Sequence, residues 1–546
     1  MATQILIVMM AAIGLTIFAE ARQFQAPLLL VIVGMIVSYI PGIPPTEIEP
    51  EIILGLVLPP LLFSAALDFS FFSFMRRVGS IANLGIFLVT ITAIVVSVLL
   101  SGWLTVLTIP GALILGAVIA PTDAVSAISI GERLGLTKRL MTVLKGESLV
   151  NDAAALTLFT LATAAATGEK TFISNGVLYF LFAAGLGAIL GLILGNIVHA
   201  IRRKLHNATM VTALTIITPF AAYLLAEELH MSGVMCVVFT GFALGFHATD
   251  LKFDGRIQQR EVMQLVDALL EAFVFSYLGL QFRFVLEGAI SSGTDIWSLF
   301  KLSGLTLAVV IVVRIVWILC SAALGRLIHR RRLARAKTHP PRRPLADPLS
   351  WKENLVLSWS GMRGVVTVAA AAGTPLLTST GEALPDRDLI IAIAFLVAIG
   401  TLIFQGLSLP WLIGWLKIDS SSDAAYRVDQ FGIARAAMIK AGKEAADRFR
   451  AAHPEAGQSR VAELVLSESQ REAMLKPREG EAPIDRDLMF TLVRDVQSAR
   501  RGALIAERNA GRLNDEALRE LLEGIDLEQA LMARRGQNLI DQQSAR

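Results

Sequence analysis

The chain has 546 residues, of which 54% are hydrophobic and only 17% charged, and its mean hydropathy is +0.61. That balance excludes an ordinary soluble domain and indicates an all-α polytopic membrane protein. The formal net charge of +3 does not argue for a nucleic-acid partner, because the basic residues gather in short loops between apolar runs, where they set topology.

Apolar runs of about 17 to 25 residues predict roughly thirteen transmembrane helices. They fall at about 3–19, 25–40, 51–68, 82–107, 110–130, 140–166, 174–200, 208–228, 231–247, 262–286, 299–326, 353–376 and 388–416. The first has no basic leader and no small-residue cleavage site, so it reads as a retained helix. Cys236 and Cys320 lie inside apolar runs without ligand spacing, so neither a disulfide framework nor a zinc site is expected.

Loop charges alternate along this series. Arg76 and Arg77, then Arg133, Lys138 and Arg139, then Arg202 to Lys204, then Lys252, Arg256 and Arg260, and finally the loop from Arg330 to Lys352 fall on one side. The opposite loops carry mostly acids, including Glu47, Glu49, Glu51, Glu227 and Glu228. About twenty Lys and Arg against three or four place the amino terminus outside and the tail in the cytoplasm of a cell (inner) membrane protein.

Six spans, a connecting span and six more permit two inverted six-helix repeats, about 3–166 and 208–416, joined by 174–200. Together they form a transmembrane domain over 1–416. Residues 417–546 are mixed-charge and amphipathic, and read as a helical cytoplasmic C-terminal domain with a break near Lys476 to Pro483. That tail is either regulatory, or a subunit contact, or a solvated appendage.

Corresponding spans of the two repeats are interrupted. The fifth contains Pro121-Thr122-Asp123 and the twelfth Ser360-Gly361-Met362-Arg363-Gly364. Proline removes a backbone donor and paired glycines weaken helix continuity, so unwound backbone becomes available to ions at mid-membrane depth. Counting about 1.5 Å per residue from each interface also puts Asp123, Asp152, Arg314 and Arg363 near the middle.

The sixth span carries Gly146-Glu147-Ser148-Leu149-Val150-Asn151-Asp152. At helical spacing Glu147 and Asn151 stack on one face, with Ser148 and Asp152 just beside them. An acid at mid-depth costs about 2.5 to 3.5 kcal/mol even on lenient scales, so this side must face protein or water. A carboxylate held there must bind either a proton or a cation. If the loaded form crosses and the bare anion does not, two ligands sharing Asp152 are exchanged obligatorily.

Other readings compete. Asp152 could be a structural acid neutralised by Arg363 or Arg314, and Asp123 and Arg363 could simply cap helix ends. Asp68 is expected at an interface without chemistry, and His206, His230 and His247 sit near helix ends, where solvated or capping roles are usual. Gly146-Glu147-Ser148 is not a nucleophile elbow, since Val150 replaces the second glycine and no histidine lies at matching depth. An enzyme is therefore not expected. A cation channel, or a sensor signalling through the tail, is the stronger rival.

Taken together, Pro121-Thr122-Asp123, Gly146 to Asp152 and Gly361-Met362-Arg363-Gly364, in this order on residues 1–416, resemble the monovalent cation/proton antiporter family. That family comprises the NhaP-type bacterial Na+/H+ antiporters and the related animal sodium/proton exchangers. The resemblance implies a homodimer with crossed, unwound helices 5 and 12, and exchange of Na+ for H+. A K+/H+ antiporter is the alternative, and Li+ another candidate ion; no cofactor is implied beyond the transported ions.

By the same resemblance Asp152 would carry either the proton or the cation. Thr122 and Ser148 would supply further oxygen ligands to Na+, and Glu147 would support the site through water. Asn151 would hold the crossing and position Asp152; related antiporters with a second aspartate there are electrogenic, so Asn151 implies electroneutral 1:1 exchange. Pro121, Asp123, Gly361, Arg363 and Gly364 would form and neutralise the crossing, with Arg363 paired to Glu147. Arg314 resembles the basic residue of the eleventh span and would pair with an acid such as Glu271.

Overall fold

In hydrocarbon every backbone N–H and C=O must be paired within its own segment, so uniformly apolar runs of this length become helices. The computed structural model describes residues 2–22, 24–41, 52–168, 175–205, 207–248, 253–336, 348–378, 381–384, 386–418, 421–452, 486–515 and 517–527. Among them the only β pairing is an isolated bridge between Leu377 and Ala383. Glu47, Glu49, Glu51, His206, Lys252, residues 337–347 of the 330–352 loop and the 476–483 break lie outside the described residues.

In chain order the helices are α1 (Ala2–Ala21), α2 (Ala26–Ser38), α3 (Ile53–Asp68), α4 (Phe71–Trp103), α5 (Ile109–Ile119), α6 (Val125–Arg133) and α7 (Lys138–Thr167). After these come α8 (Gly176–Lys204), α9 (Ala208–Glu228), α10 (Gly233–Phe246), α11 (Phe253–Leu280), α12 (Phe282–Ser291) and α13 (Ile296–Ala336). The membrane unit closes with α14 (Trp351–Trp359), α15 (Val365–Ala372) and α16 (Arg387–Leu416). Seven of the described helices are individually long and apolar enough to cross a membrane.

Each expected span falls on one helix or on a broken pair, but several ends differ. The span expected at 82–107 begins at Phe71, where Ser70 caps the helix by accepting from Ser73 N (3.2 Å). The span expected at 262–286 begins at Phe253 and breaks at Gln281, and the one expected at 299–326 extends to Ala336. Hydropathy finds only the part of a helix that lies in lipid, whereas propagation past the interface needs no apolar residue.

Small residues let these helices approach closely. Gly34 of α2 meets Gly279 of α11 backbone to backbone, where a Cβ on Gly34 would stand 2.9 Å from Gly279 Cα. Gly187, Gly191 and Gly195 seat α8 on α10, and Thr240 Oγ1 donates to Gly191 O at 3.0 Å.

At the starts of α7 and α14 a single carboxylate ties the two helices together. Ser350 and Glu353 form a capping box. Glu353, fully buried, also accepts from Thr137 Oγ1 and from Arg139 Nε, the latter at 2.8 Å. We expect Glu353→Ala to destabilise the protein by about 2–4 kcal/mol, from a lost cap and lost charge-assisted bonds. An unfolding temperature in detergent equal to wild type would contradict this.

Contacts divide the chain into Met1–Asp419 and Ser420–Arg546. The second unit has its own core between α17 (Ser421–Ala452) and α18 (Arg486–Asn509), where Ala446 and Phe449 pack on Leu492 and Val496. Gln430 joins this unit's helices by donating to Arg512 O (3.1 Å) and accepting from Asn514 N (2.9 Å).

Candidate ion-binding site

Pro121 cannot donate back to the preceding turn, so α5 stops at Ile119 and the chain runs unwound until Val125 opens α6. Ser360 to Gly364 separates α14 from α15 in the same way. The two unwound stretches meet, and Asp123 N donates to Met362 O at 2.7 Å.

Four helix ends converge here, and charges sit on them as their dipoles require. The carbonyl end of α5 is capped by Arg363, whose Nε donates to Ile119 O at 3.1 Å, while its Nη1 donates to Gly361 O. At the carbonyl end of α14, Arg314 donates from Nη2 (3.0 Å) and Nε (3.3 Å) to Leu357 O. Asp123 Oδ1 accepts from Val125 N at 2.8 Å, at the amino end of α6. Two glycines are required by close approach: a Cβ on Gly364 would overlap the Asp123 carboxylate, and one on Gly361 would overlap the Arg314 side chain.

The stretch expected to carry the chemistry is on α7, which packs against α4, α5 and α6. Its two polar faces have different surroundings. Glu147 and Asn151 are 2% and 1% exposed and enter a closed network. Arg314 holds Glu147 with two bonds, Nη1 to Oε1 at 2.5 Å and Nη2 to Oε2 at 3.0 Å. Thr122 Oγ1 donates to Glu147 Oε1 at 2.9 Å, and Asn151 Nδ2 donates to Thr122 O (2.7 Å) and Oγ1 (3.0 Å). Asn151 Oδ1 is buried without a partner.

On the neighbouring face Ser148 is half-buried, and Asp152, 6% exposed, makes no hydrogen bond or ion pair among the described residues. The charge that acts on it is another acid, Asp123. The geometry therefore neutralises Glu147 and leaves Asp152 as a buried carboxylate without a counter-charge.

Two expected pairings are corrected. Arg363 does not bond Glu147, and Arg314 does not pair with Glu271; Arg314 takes Glu147 instead. The reason is lateral position: α13 brings Arg314 between α7 and α14, while Arg363 is turned along its own unwound stretch toward Ile119. Glu147 also reaches the site by a direct bond to Thr122, where a water-mediated link was expected.

Sequence reasoning missed several residues. Thr401 of α16 accepts from Arg363 N at 2.9 Å, so it ties the second unwound stretch much as Asn151 ties the first. Inverted-repeat correspondence was the available signal, since both lie in the helix that follows the break. Ser64 Oγ donates to Asp267 Oδ2 at 2.5 Å, joining α3 to α11. An acid inside an apolar span could have flagged Asp267.

Helices broken at corresponding points, crossed at their centres and set beside a lone buried carboxylate, define a membrane carrier of the secondary-transporter class. A family model described as "Sodium/hydrogen exchanger, transmembrane" matches residues 5–415, and the chain belongs to this family. It is similar to an uncharacterized Na(+)/H(+) exchanger of Mycobacterium tuberculosis, at 30% identity covering 96% of this chain and 95% of that one. It is also similar to the Na(+)/H(+) antiporter ApNhaP of Aphanothece halophytica, at 28% identity over 78% and 76% of the two chains. The fold resembles the sodium proton antiporter MjNhaP1 from Methanocaldococcus jannaschii, with TM-score 0.58, 18% identity, and coverage of 75% of this chain and 97% of that one.

Proposed function

We propose that this protein exchanges Na+ for H+ one-for-one across the cell membrane, with Asp152 binding either ion in turn. The observation that carries this reading is Asp152 itself, a buried acid with no cationic partner among the described residues, beside a Glu147 already held by Arg314. A group so placed needs a positive ligand, and a proton and a sodium ion compete for it. Thr122 and Ser148 supply neighbouring oxygens for the cation, while Asn151, Asp123 and Arg363 hold the crossing that presents them.

With either ligand bound the site carries no net charge, and empty it is a bare anion that resists moving through a low-dielectric barrier. The membrane potential, worth about 2.3 kcal/mol per charge per 100 mV, then drops out and the two gradients alone drive exchange. The protein works as a homodimer with its amino terminus outside and residues 417–546 in the cytoplasm, and no enzymatic step is involved.

The test is proton flux in liposomes holding the purified full chain, with Na+, K+ or Li+ added and the potential clamped or free. Sodium-driven proton movement indifferent to the clamp is the expected result; cation flow without opposing protons would overturn antiport. Asn151→Asp adds a second acid beside Asp152 and loses the donors to Thr122. We expect that variant to transport more slowly and to respond to voltage, and indifference to voltage would remove the basis for the one-for-one ratio.

A further inference from the structure

The basic end of α8 carries an arginine that the exchange mechanism does not use. Arg202 is 3% exposed, its Nη2 donates to Gln259 Oε1 of α11, and its Nε has no partner. No carboxylate among the described residues pairs with it. The buried Arg314, by contrast, is held by Glu147. An uncompensated guanidinium in such surroundings is strongly unfavourable, so Arg202 calls for an anionic partner that the described residues do not supply. We propose that this site binds the phosphate of an anionic phospholipid headgroup, with Arg202 as its central ligand.

The surroundings fit a lipid. Arg203 and Lys204 flank Arg202, both exposed, and end a membrane-spanning helix that runs from Leu178 to Lys204. The end of a spanning helix lies at headgroup depth, where basic side chains meet anionic lipids. The chain then turns directly into α9, whose amino end is capped by Asn207 Oδ1 accepting from Thr209 N at 2.8 Å. The positive pole of that helix faces the same level. On α8, Ile201 beside Arg202 and Ile197 rather more than one turn deeper are 45% and 51% exposed, and on α9 Met210 is 54% exposed. Charge at the helix end with bare apolar surface just beneath it matches an amphiphile, a phosphate above acyl chains. A soluble phosphate would use only the first half of this arrangement.

The experiment is thermal unfolding of the full chain in detergent, with phosphatidylglycerol, phosphatidylcholine or inorganic phosphate added. Phosphatidylglycerol is expected to raise the unfolding temperature, while the other two leave it unchanged. In Arg202→Gln that increment should disappear, or require at least about tenfold more lipid, as the loss of a charge-assisted contact predicts. Each variant is compared with itself, so any intrinsic instability of Arg202→Gln is subtracted. Arg203→Gln/Lys204→Gln, which alters only exposed side chains, should also shrink the increment. Arg330→Gln/Arg331→Gln, an exposed basic pair at the end of another spanning helix, should keep it. The proposal is overturned if inorganic phosphate or phosphatidylcholine stabilises equally, if both α8 variants retain the full increment, or if the α13 pair loses as much as Arg202→Gln.

Discussion

Asp152→Asn is expected to abolish cation-coupled proton flux, to less than about one-hundredth of wild type, and to leave the fold intact. The two halves of that expectation have separate causes. The Asp152 carboxylate makes no hydrogen bond or ion pair among the described residues, so an amide of the same shape removes no structural contact. Because a buried carboxylate without a partner is costly to the fold, replacing it by the neutral amide should leave stability at or above the wild-type level. The amide carries no charge, however, so it can neither take up a proton nor offset a sodium ion. Liposome flux together with an unfolding temperature in detergent checks both halves. Vigorous exchange by a well-folded variant would remove Asp152 from the centre of the mechanism. Loss of both flux and fold would instead make it a structural acid.

The second large effect concerns the pair behind the site. Arg314→Met leaves Glu147 a bare carboxylate, 2% exposed, and also uncaps Leu357 O at the end of α14. Removing one partner of a buried pair costs about 3–5 kcal/mol, a large part of the roughly 5–15 kcal/mol that holds a folded protein together. A marked drop in unfolding temperature and in the yield of folded protein is expected. Glu147→Gln should also be harmful, because it strands the guanidinium. The double variant Glu147→Gln/Arg314→Met removes both charges and should be more stable than the sum of the single changes, by about 0.5–3 kcal/mol. Strictly additive effects would mean that the two side chains are not energetically coupled.

These two predictions draw on different kinds of information. Asp152 could be singled out from the sequence, because an acid in an apolar run is expensive wherever its neighbours lie, and helical spacing puts it beside Ser148. The choice of Arg314 as partner of Glu147 could not. Depth counted along a helix places Arg314 and Arg363 at similar levels, and both were plausible partners for the same acids. Which arginine meets which carboxylate depends on how α13 is turned and what stands next to it.

The same division runs through the molecule. Apolar run length, the prolines and glycines that break two corresponding spans, and the spacing within Gly146 to Asp152 act locally, so the sequence alone determines the helical membrane fold, the two interruptions and the polar face of α7. The bond from Asp123 to Met362, the clasp of Arg363 by Thr401, the tie of Glu353 to Thr137 and Arg139, and the contact of Ser64 with Asp267 were decided only by tertiary structure. Each joins residues far apart in the chain, and a periodic pattern specifies position along a helix and the face a side chain leaves from, but not the lateral neighbour that face will meet.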